Sequence, residues 1–403
     1  MRHAATAALA AVLLATAAVE ALADPVIDWN VRANEVVVES KIGTPPAMRV
    51  MAIVQAAVLE AVQNAAPGPY VDAAVAAANR AALSKLLPAQ QAMIDRAYQA
   101  ALAAIPEISA KYAGIEAGER AAAAVLAARA DDSAAQPAPY RPHAAAGAYV
   151  PTAAPAVPHW AMRKPWLMAS ASQFRPGPPP ALGSKTWARD YNEVKLLGAR
   201  NSAARTAEQT EIAQFWEYSL PPIYHGVMRS VAAMPRRNAV QNARLFAAAT
   251  QALDDALIAV FDAKYQYNFW RPITAVRNGD IDGNPATERD AAWTPLHDAP
   301  MHPEYPSAHA ILAGALGAVL DAELGPLDAP VLSTSSPSAK NITRRWTSIG
   351  AFVQEVSDAR VYEGIHFRTA VEAGTAMGRQ IGTLAAQKHF AWGQGSESGL
   401  ATR

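Results

Sequence analysis

Met301-His302-Pro303-Glu304-Tyr305-Pro306-Ser307-Ala308-His309 runs directly into Ala310-Ile311-Leu312-Ala313-Gly314-Ala315-Leu316-Gly317-Ala318-Val319-Leu320. The prolines predict that no helix continues from upstream, and Ser307 suits the cap of a new first turn. Leu312, Leu316, Val319 and Leu320 fall at helical spacing from His309, which places the imidazole on the buried stripe. Small Ala308 lets an anion approach bare N–H groups at the positive end of the helix dipole. A histidine in that position can pass protons to the anion. The stretch predicts a helical fold with an oxyanion pocket at a helix end. Cations and a ligand or nucleophile are still needed, and both occur elsewhere in the chain.

Asn238, with Gln241 three residues on, predicts a capping box opening a long helix. Leu253, Leu257, Val260 and Phe261 share one face of it, and Lys264 continues that face. A lysine on a core stripe must snorkel or find an anion. Arg271 lies two turns on, held out of helical geometry by Pro272. Near Thr347 a further helix buries Ile349, Phe352, Val353 and Val356, and Arg360 extends that stripe. His366 follows Gly364, and Thr369 can restart a helix toward His389. Taken singly, Lys264 reads as a snorkelling residue, Arg360 as half of an ion pair and His366 as a core histidine. Together, three cations, a helix start and two histidines suit a tetrahedral or trigonal-bipyramidal oxyanion. The arginines can grip it bidentately while Lys264 supplies a point charge.

Lys264 with Arg271-Pro272, then Pro306-Ser307-Ala308-His309, then Arg360 with His366, resembles the three-part signature of the vanadium-dependent haloperoxidase and type-2 phosphatidic acid phosphatase superfamily. Asp28-Trp29-Asn30, Leu220-Pro221-Pro222 and His302-Pro303-Glu304-Tyr305 are similar to its secreted bacterial haloperoxidase-like members. The resemblance implies an all-α fold, a helical bundle assembly of the haloperoxidase/acid phosphatase type. It implies vanadate as cofactor, or phosphate if the chain is a phosphatase. His366 would be the vanadate ligand, or the nucleophile of a phosphohistidine. His309 would be the general acid/base, and Lys264 would join these two in catalysis. Lys264, Arg271, Ser307, Ala308, Arg360 and His366 would hold the anion.

His302 is the candidate halide-pocket residue. In the haloperoxidases resembled, an aromatic marks chloride oxidation at this position, while bromide-oxidising members can carry histidine. The plain alternative is a histidine capping loop carbonyls. Two departures stand out: the family's usual glycine is replaced by Ala308, and a frequent carboxylate four residues after the last histidine by Ala370. Glu363, Glu372 or a backbone carbonyl then remain to orient His366.

Three functions follow as expectations. The first is oxidation of bromide or iodide by hydrogen peroxide; the second is phosphate-ester hydrolysis in the same pocket; the third is oxyanion binding without catalysis. Vanadate resembles a phosphoryl-transfer transition state, so the signature alone does not separate the first two. His297, Asp298, His302, Glu304 and His309 also offer a weaker metal-site reading.

Lys and Arg total 35, as do Asp and Glu, so no charge imbalance points to nucleic acid, and small-molecule substrates are expected. There is no cysteine, which excludes disulfides and thiolate metal sites. Arg2 and His3, apolar Ala4 to Val19 and small Ala21-Leu22-Ala23 predict a signal peptide over 1–23, a mature start at Asp24 and a secreted or periplasmic protein. No long charge-free apolar segment follows, so no membrane span is expected in the mature chain. Oligomeric state has no signature in the sequence.

Residues 24–133 read as an N-terminal helical half, with helices over Ala73 to Leu87, Ala89 to Ile105 and Glu107 to Ala130. Residues 134–190 form a Pro-rich connection, either laid across the body or a mobile linker. Residues 191–403 form a C-terminal helical half carrying the oxyanion site. Helical patterning resumes near Thr206 and breaks at Pro221-Pro222, and Ser333 to Ser338 reads as a loop.

Overall fold

The computed structural model describes residues 24–132 and 140–390, so the leader at 1–23, Pro137 and Pro139 lie outside the described residues. Five helices form the first half: α1 (Pro25–Glu39), α2 (Thr44–Val62), α3 (Pro69–Leu86), α4 (Gln91–Ala103) and α5 (Ser109–Ala128). A single 3-10 turn at Trp160–Met162 punctuates the Pro-rich connection. There follow α6 (Lys185–Leu197), α7 (Ala207–Trp216), α8 (Pro221–Ala232), α9 (Ala239–Tyr267), α10 (Pro272–Arg277) and α11 (Ala308–Leu324). An antiparallel hairpin of β1 (Leu332–Ser336) and β2 (Ile342–Trp346) precedes α12 (Ile349–Tyr362) and α13 (Arg368–Phe390). The all-α expectation holds, with this hairpin as an exception.

Proline opens α1, α2, α3, α8 and α10, where its missing N–H is one the helix leaves free in any case. Pro221-Pro222 is therefore a helix start and not merely a break. The Asn238–Gln241 capping box forms as expected. Two elements depart from the sequence reading. α6 begins well before Thr206, capped by Ser184, so residue 190 falls inside it. Its buried Trp187, Asp190, Tyr191 and Val194 keep helical spacing, but the intervening polar residues dilute the pattern. Ser333–Ser336 pairs with Ile342–Arg345 as strands, and left-handed Lys340 and Asn341 make the turn.

α9 is the central rod, buried on every face over most of its length. α2 packs against it, as do α11 and α13. By length and hydropathy α2 could cross a bilayer, yet 78% of it is buried within this fold. The connection is strapped onto α9: the Asp255 carboxylate accepts N–H bonds from Trp166, Leu167 and Met168 at 2.7, 2.8 and 3.1 Å. α11 and α13 approach closely through bare backbone. A Cβ on Gly378 would lie 2.1 Å from the Ile311 carbonyl, and one on Gly374 would lie 2.6 Å from that of Ser307. This packing pins the start of α11, and truncating fully buried Leu316 to alanine would cost about 2–5 kcal/mol.

Candidate functional site

Each signature residue stands where a helix ends or begins. Lys264 is in the last turn of α9, and Arg271 caps α10 with extended backbone. Ser307 caps α11, Arg360 is in the last turn of α12, and His366 sits in the short turn before α13. Five chain segments therefore converge on one buried point. Lys264 is 0% exposed, Arg271 1%, Ser307 0%, Arg360 2% and His366 2%.

The partners of the cations are unusual. Lys264 Nζ donates to the carbonyls of Pro303 and Glu304 at 3.0 and 2.8 Å. Arg271 donates to the His302 and Ile365 carbonyls, both at 2.9 Å, and reaches His302 Nδ1 at 2.9 Å and His366 Nε2 at 3.3 Å. Among the described residues neither cation has a carboxylate within ion-pair distance. Arg360 does pair with Glu363, and it donates to the Trp216 carbonyl at 2.7 Å. Its Nε is buried without a partner, as is Nε2 of His309. Buried positive charge satisfied mainly by neutral acceptors is costly unless an anion joins it. Burial and the neighbouring Arg271 push the Lys264 ammonium well below its ordinary range.

The imidazoles are pushed the same way. Burial, followed by Arg271 and Lys264, keeps His366 neutral at physiological pH. Burial and then Arg360 do so for His309, and burial and then Lys264 for His302. Arginine can only donate, so its contacts set two tautomers. His302 Nδ1 accepts from Arg271, which leaves its proton on Nε2. His366 Nε2 likewise faces Arg271, so its proton is on Nδ1.

That Nδ1–H is 2.7 Å from Oε1 of Glu304. The same oxygen accepts the Phe367 N–H at 2.9 Å. Glu304 is thus the orienting carboxylate, and Glu363, Glu372 and a backbone carbonyl are not. Glu363 is occupied by Arg360, and Glu372 is a surface residue 3.8 Å from Arg189. The backbone carbonyl at Ala370 accepts the Ser307 N–H instead. Burial raises the Glu304 carboxyl to about 8, against the pull of Arg271 and Lys264. Its Oε2 has no partner. Local sequence carried one sign of this role, a glutamate between two prolines beside the anion loop.

Ser307 Oγ is 3.5 Å from the Ala310 N–H, a loose cap that leaves the hydroxyl near the helix start. Ala308 is the first residue of α11 and half-buried. His302 sits edge-on to Phe261, with ring centroids 5.2 Å apart. The metal-site grouping does not assemble. His302 turns to Arg271, Glu304 to His366, and His297 Nδ1 lies 3.3 Å from Glu363.

These residues fit an oxovanadate or phosphate. The lone pair of His366 Nε2, two carboxylate-free cations and the unpartnered Arg360 Nε are what such an anion requires.

The family described as the VCPO second helical-bundle domain matches residues 244–395, which contain every one of these groups. The vanadium chloroperoxidase of Curvularia inaequalis is 31% identical over 144 residues, 29% of this chain, and the match spans 23% of that relative's length. A structure titled as the first bacterial vanadium-dependent iodoperoxidase superposes with a TM-score of 0.75 at 25% identity, covering 90% of this chain and 95% of that one. An apo-type bacterial vanadium-dependent chloroperoxidase shares the fold, with a TM-score of 0.69 at 18% identity over 86% of this chain and 96% of that one. By sequence over residues 244–395, and by fold over most of its length, the chain is similar to the vanadium-dependent haloperoxidases.

Proposed function

We propose that this chain is a vanadate-dependent haloperoxidase that oxidises bromide or iodide with hydrogen peroxide. The observation that carries the proposal is the Glu304–His366 pair set among uncompensated cations. A carboxylate on Nδ1 raises the basicity of Nε2 and fixes its direction, as it does in metal sites held by histidine. Likeness to haloperoxidases supports the halide chemistry, and the 25% identical iodoperoxidase aligns over nearly its whole length.

Bound vanadate would act as a Lewis acid on hydrogen peroxide, making one peroxide oxygen electrophilic toward halide. His366 would hold it through Nε2, with Lys264, Arg271, Arg360, Ser307 and the Ala308 N–H around its oxygens. Lys264 and Arg271 are already fixed by backbone carbonyls, so they stabilise developing negative charge without rearranging. His309 has its free Nε2 in the pocket and exchanges protons with peroxide and with the oxyanion. An anion in the pocket offsets Arg360 and Lys264, which raises His309 back toward its ordinary titration range. His302 offers Nε2–H beside Arg271, a donor suited to peroxide or a soft halide. Secretion to the periplasm or medium remains our reading of residues 1–23.

The test is to load the protein with orthovanadate and follow peroxide-dependent oxidation of bromide and iodide beside hydrolysis of p-nitrophenyl phosphate. Halide oxidation that needs vanadate supports the proposal. Hydrolysis without any halide oxidation replaces it with the phosphatase. Binding of orthovanadate with neither reaction leaves a non-catalytic oxyanion binder.

A further inference from the structure

Phe261, which packs on His302, also lines a cleft of about 460 Å³ that the halide chemistry does not use. Tyr140, Phe261 and Tyr265 line it with rings, Arg141 and His143 bring cationic or donor groups, and Asn268 brings an amide. The two tyrosines stand edge to face at 4.9 Å. Their hydroxyls point to the protein: Tyr265 donates to the Ala156 carbonyl, and Tyr140 donates to Asn268 Oδ1 at 2.9 Å. With the hydroxyls so engaged, it is the apolar rings that line the cleft. Asp262, its one carboxylate, is held by two hydrogen bonds from Arg175 at 2.6 and 2.7 Å. Asn268 is 9% exposed, and its Nδ2 is a buried donor without a partner. Apolar ring walls with the exposed side chains of Arg141 and His143 beside them fit a planar arene bearing an anionic oxygen.

The cleft adjoins the pocket through a short relay of contacts. Phe261 packs on His302, His302 accepts from Arg271, and Arg271 reaches His366 Nε2. We propose that this cleft binds a phenolate or aryl carboxylate as the halogen acceptor, beside the site where hypohalous acid forms. The acceptor role rests on the haloperoxidase reading; the binding does not. In the transfer a ring carbon–halogen bond forms as the oxygen–halogen bond of hypohalous acid breaks. The ring proton leaves with the released hydroxide as water.

The probe is 4-hydroxybenzoate, titrated into the full-length protein and followed by ligand-observed NMR. Met162→Trp fills the cleft from an exposed position, and Arg141→Glu replaces an exposed cation of the lining with a charge of the wrong sign. Each should weaken binding about tenfold or more, and raise the KM for bromination of the probe to match. Triiodide formation from iodide and peroxide should stay at the wild-type rate, because neither residue touches the anion. Equal affinity in wild type and both variants would overturn the binding site. Tight binding without triiodide from the vanadate-loaded wild type would overturn the haloperoxidase reading and the acceptor role with it.

Discussion

Two buried ionic clusters touch the same helix, α9, and they are built on opposite principles. Near its middle, Arg49 pairs with Asp254 at 2.6 Å and with Asp132, while Asp255 collects backbone N–H groups from the connection. Arg163 lies 3.6 Å from Asp132, and Trp166 donates its indole N–H to Asp254. Every carboxylate there meets an arginine or a row of N–H donors. At the end of α9, Lys264 and Arg271 meet only carbonyls and imidazoles, and the one carboxylate facing them, Glu304, is spent on a histidine. Both clusters contain arginine and acid, so residue type does not tell them apart. The distinction is whether the charges close among themselves. A closed set holds a segment in place; an open, positive set waits for a ligand.

Substitutions can sharpen or break that contrast. His366→Ala removes the proposed ligand atom, and no vanadate-dependent peroxidase activity should remain, a fall of at least about a thousandfold by steady-state assay. Surviving activity would move the ligand role elsewhere. Asp254→Asn opens the closed cluster by leaving Arg49 short of a partner. Urea denaturation should show about 3–5 kcal/mol of lost stability, with orthovanadate affinity unchanged in the folded fraction.

Lys264→Met should do the reverse. Losing one charge-assisted anion contact weakens orthovanadate binding roughly a hundredfold by calorimetry, while anion-free stability moves less than in Asp254→Asn. If the two variants behave alike, the contrast between closed and open clusters fails. Glu304→Gln keeps an acceptor near His366 and the Phe367 N–H but removes the ionisable carboxyl, which burial raises to about 8. Vanadate affinity should drop about 10–100-fold, as for other orienting partners of metal-bound histidine.

The last effect appears only on acidification and concerns a buried group whose charged neighbour, Arg229, carries charge of the same sign as its protonated form. His225 accepts from the side-chain amides of Asn30 and Asn34, each at 2.9 Å, and burial lowers it to about 3. Its folded value lies below its unfolded one, so the unfolded chain binds the extra proton between them. Its contribution is complete above about pH 6.5 and declines as pH falls toward 3. His225→Gln should therefore flatten the acid side of the stability profile by about 1.4 kcal/mol per pH unit in that window.

The anion pocket was legible because each of its three signature parts is local. Lys264 and Arg271, Ser307 and His309, and Arg360 and His366 all sit at fixed short spacings on helix ends, where periodicity exposes a polar intruder. Sequence places Glu304 only in the weaker metal-site grouping; its role on His366 is not legible, because that partner is 62 residues away and no period links them. α6 was hidden by polar residues between its buried ones. The hairpin was hidden by serine and threonine, whose strand preference shows only through neighbours. The composition of the Pro-rich connection suits a strap or a linker equally, and contacts far off in sequence, such as its N–H bonds to Asp255 and Arg175 on Asp262, make it a strap.

Glu304 also ties the chain together lengthwise. Its N–H reaches the Phe269 carbonyl at 2.9 Å, its own carbonyl receives Lys264, and its carboxylate holds His366 and Phe367. Segments far apart in the chain are thus knotted at one residue, while the excursion between Arg277 and Met301 is anchored by buried Asp282 and Trp293 and exposed between them and at Ile281, which is 56% exposed. A protease that nicks this excursion would cut the polypeptide without untying the pocket. The two fragments should remain together through native chromatography and separate only in denaturant, because the four residues from Glu304 to Ser307 hold the parts of the pocket together.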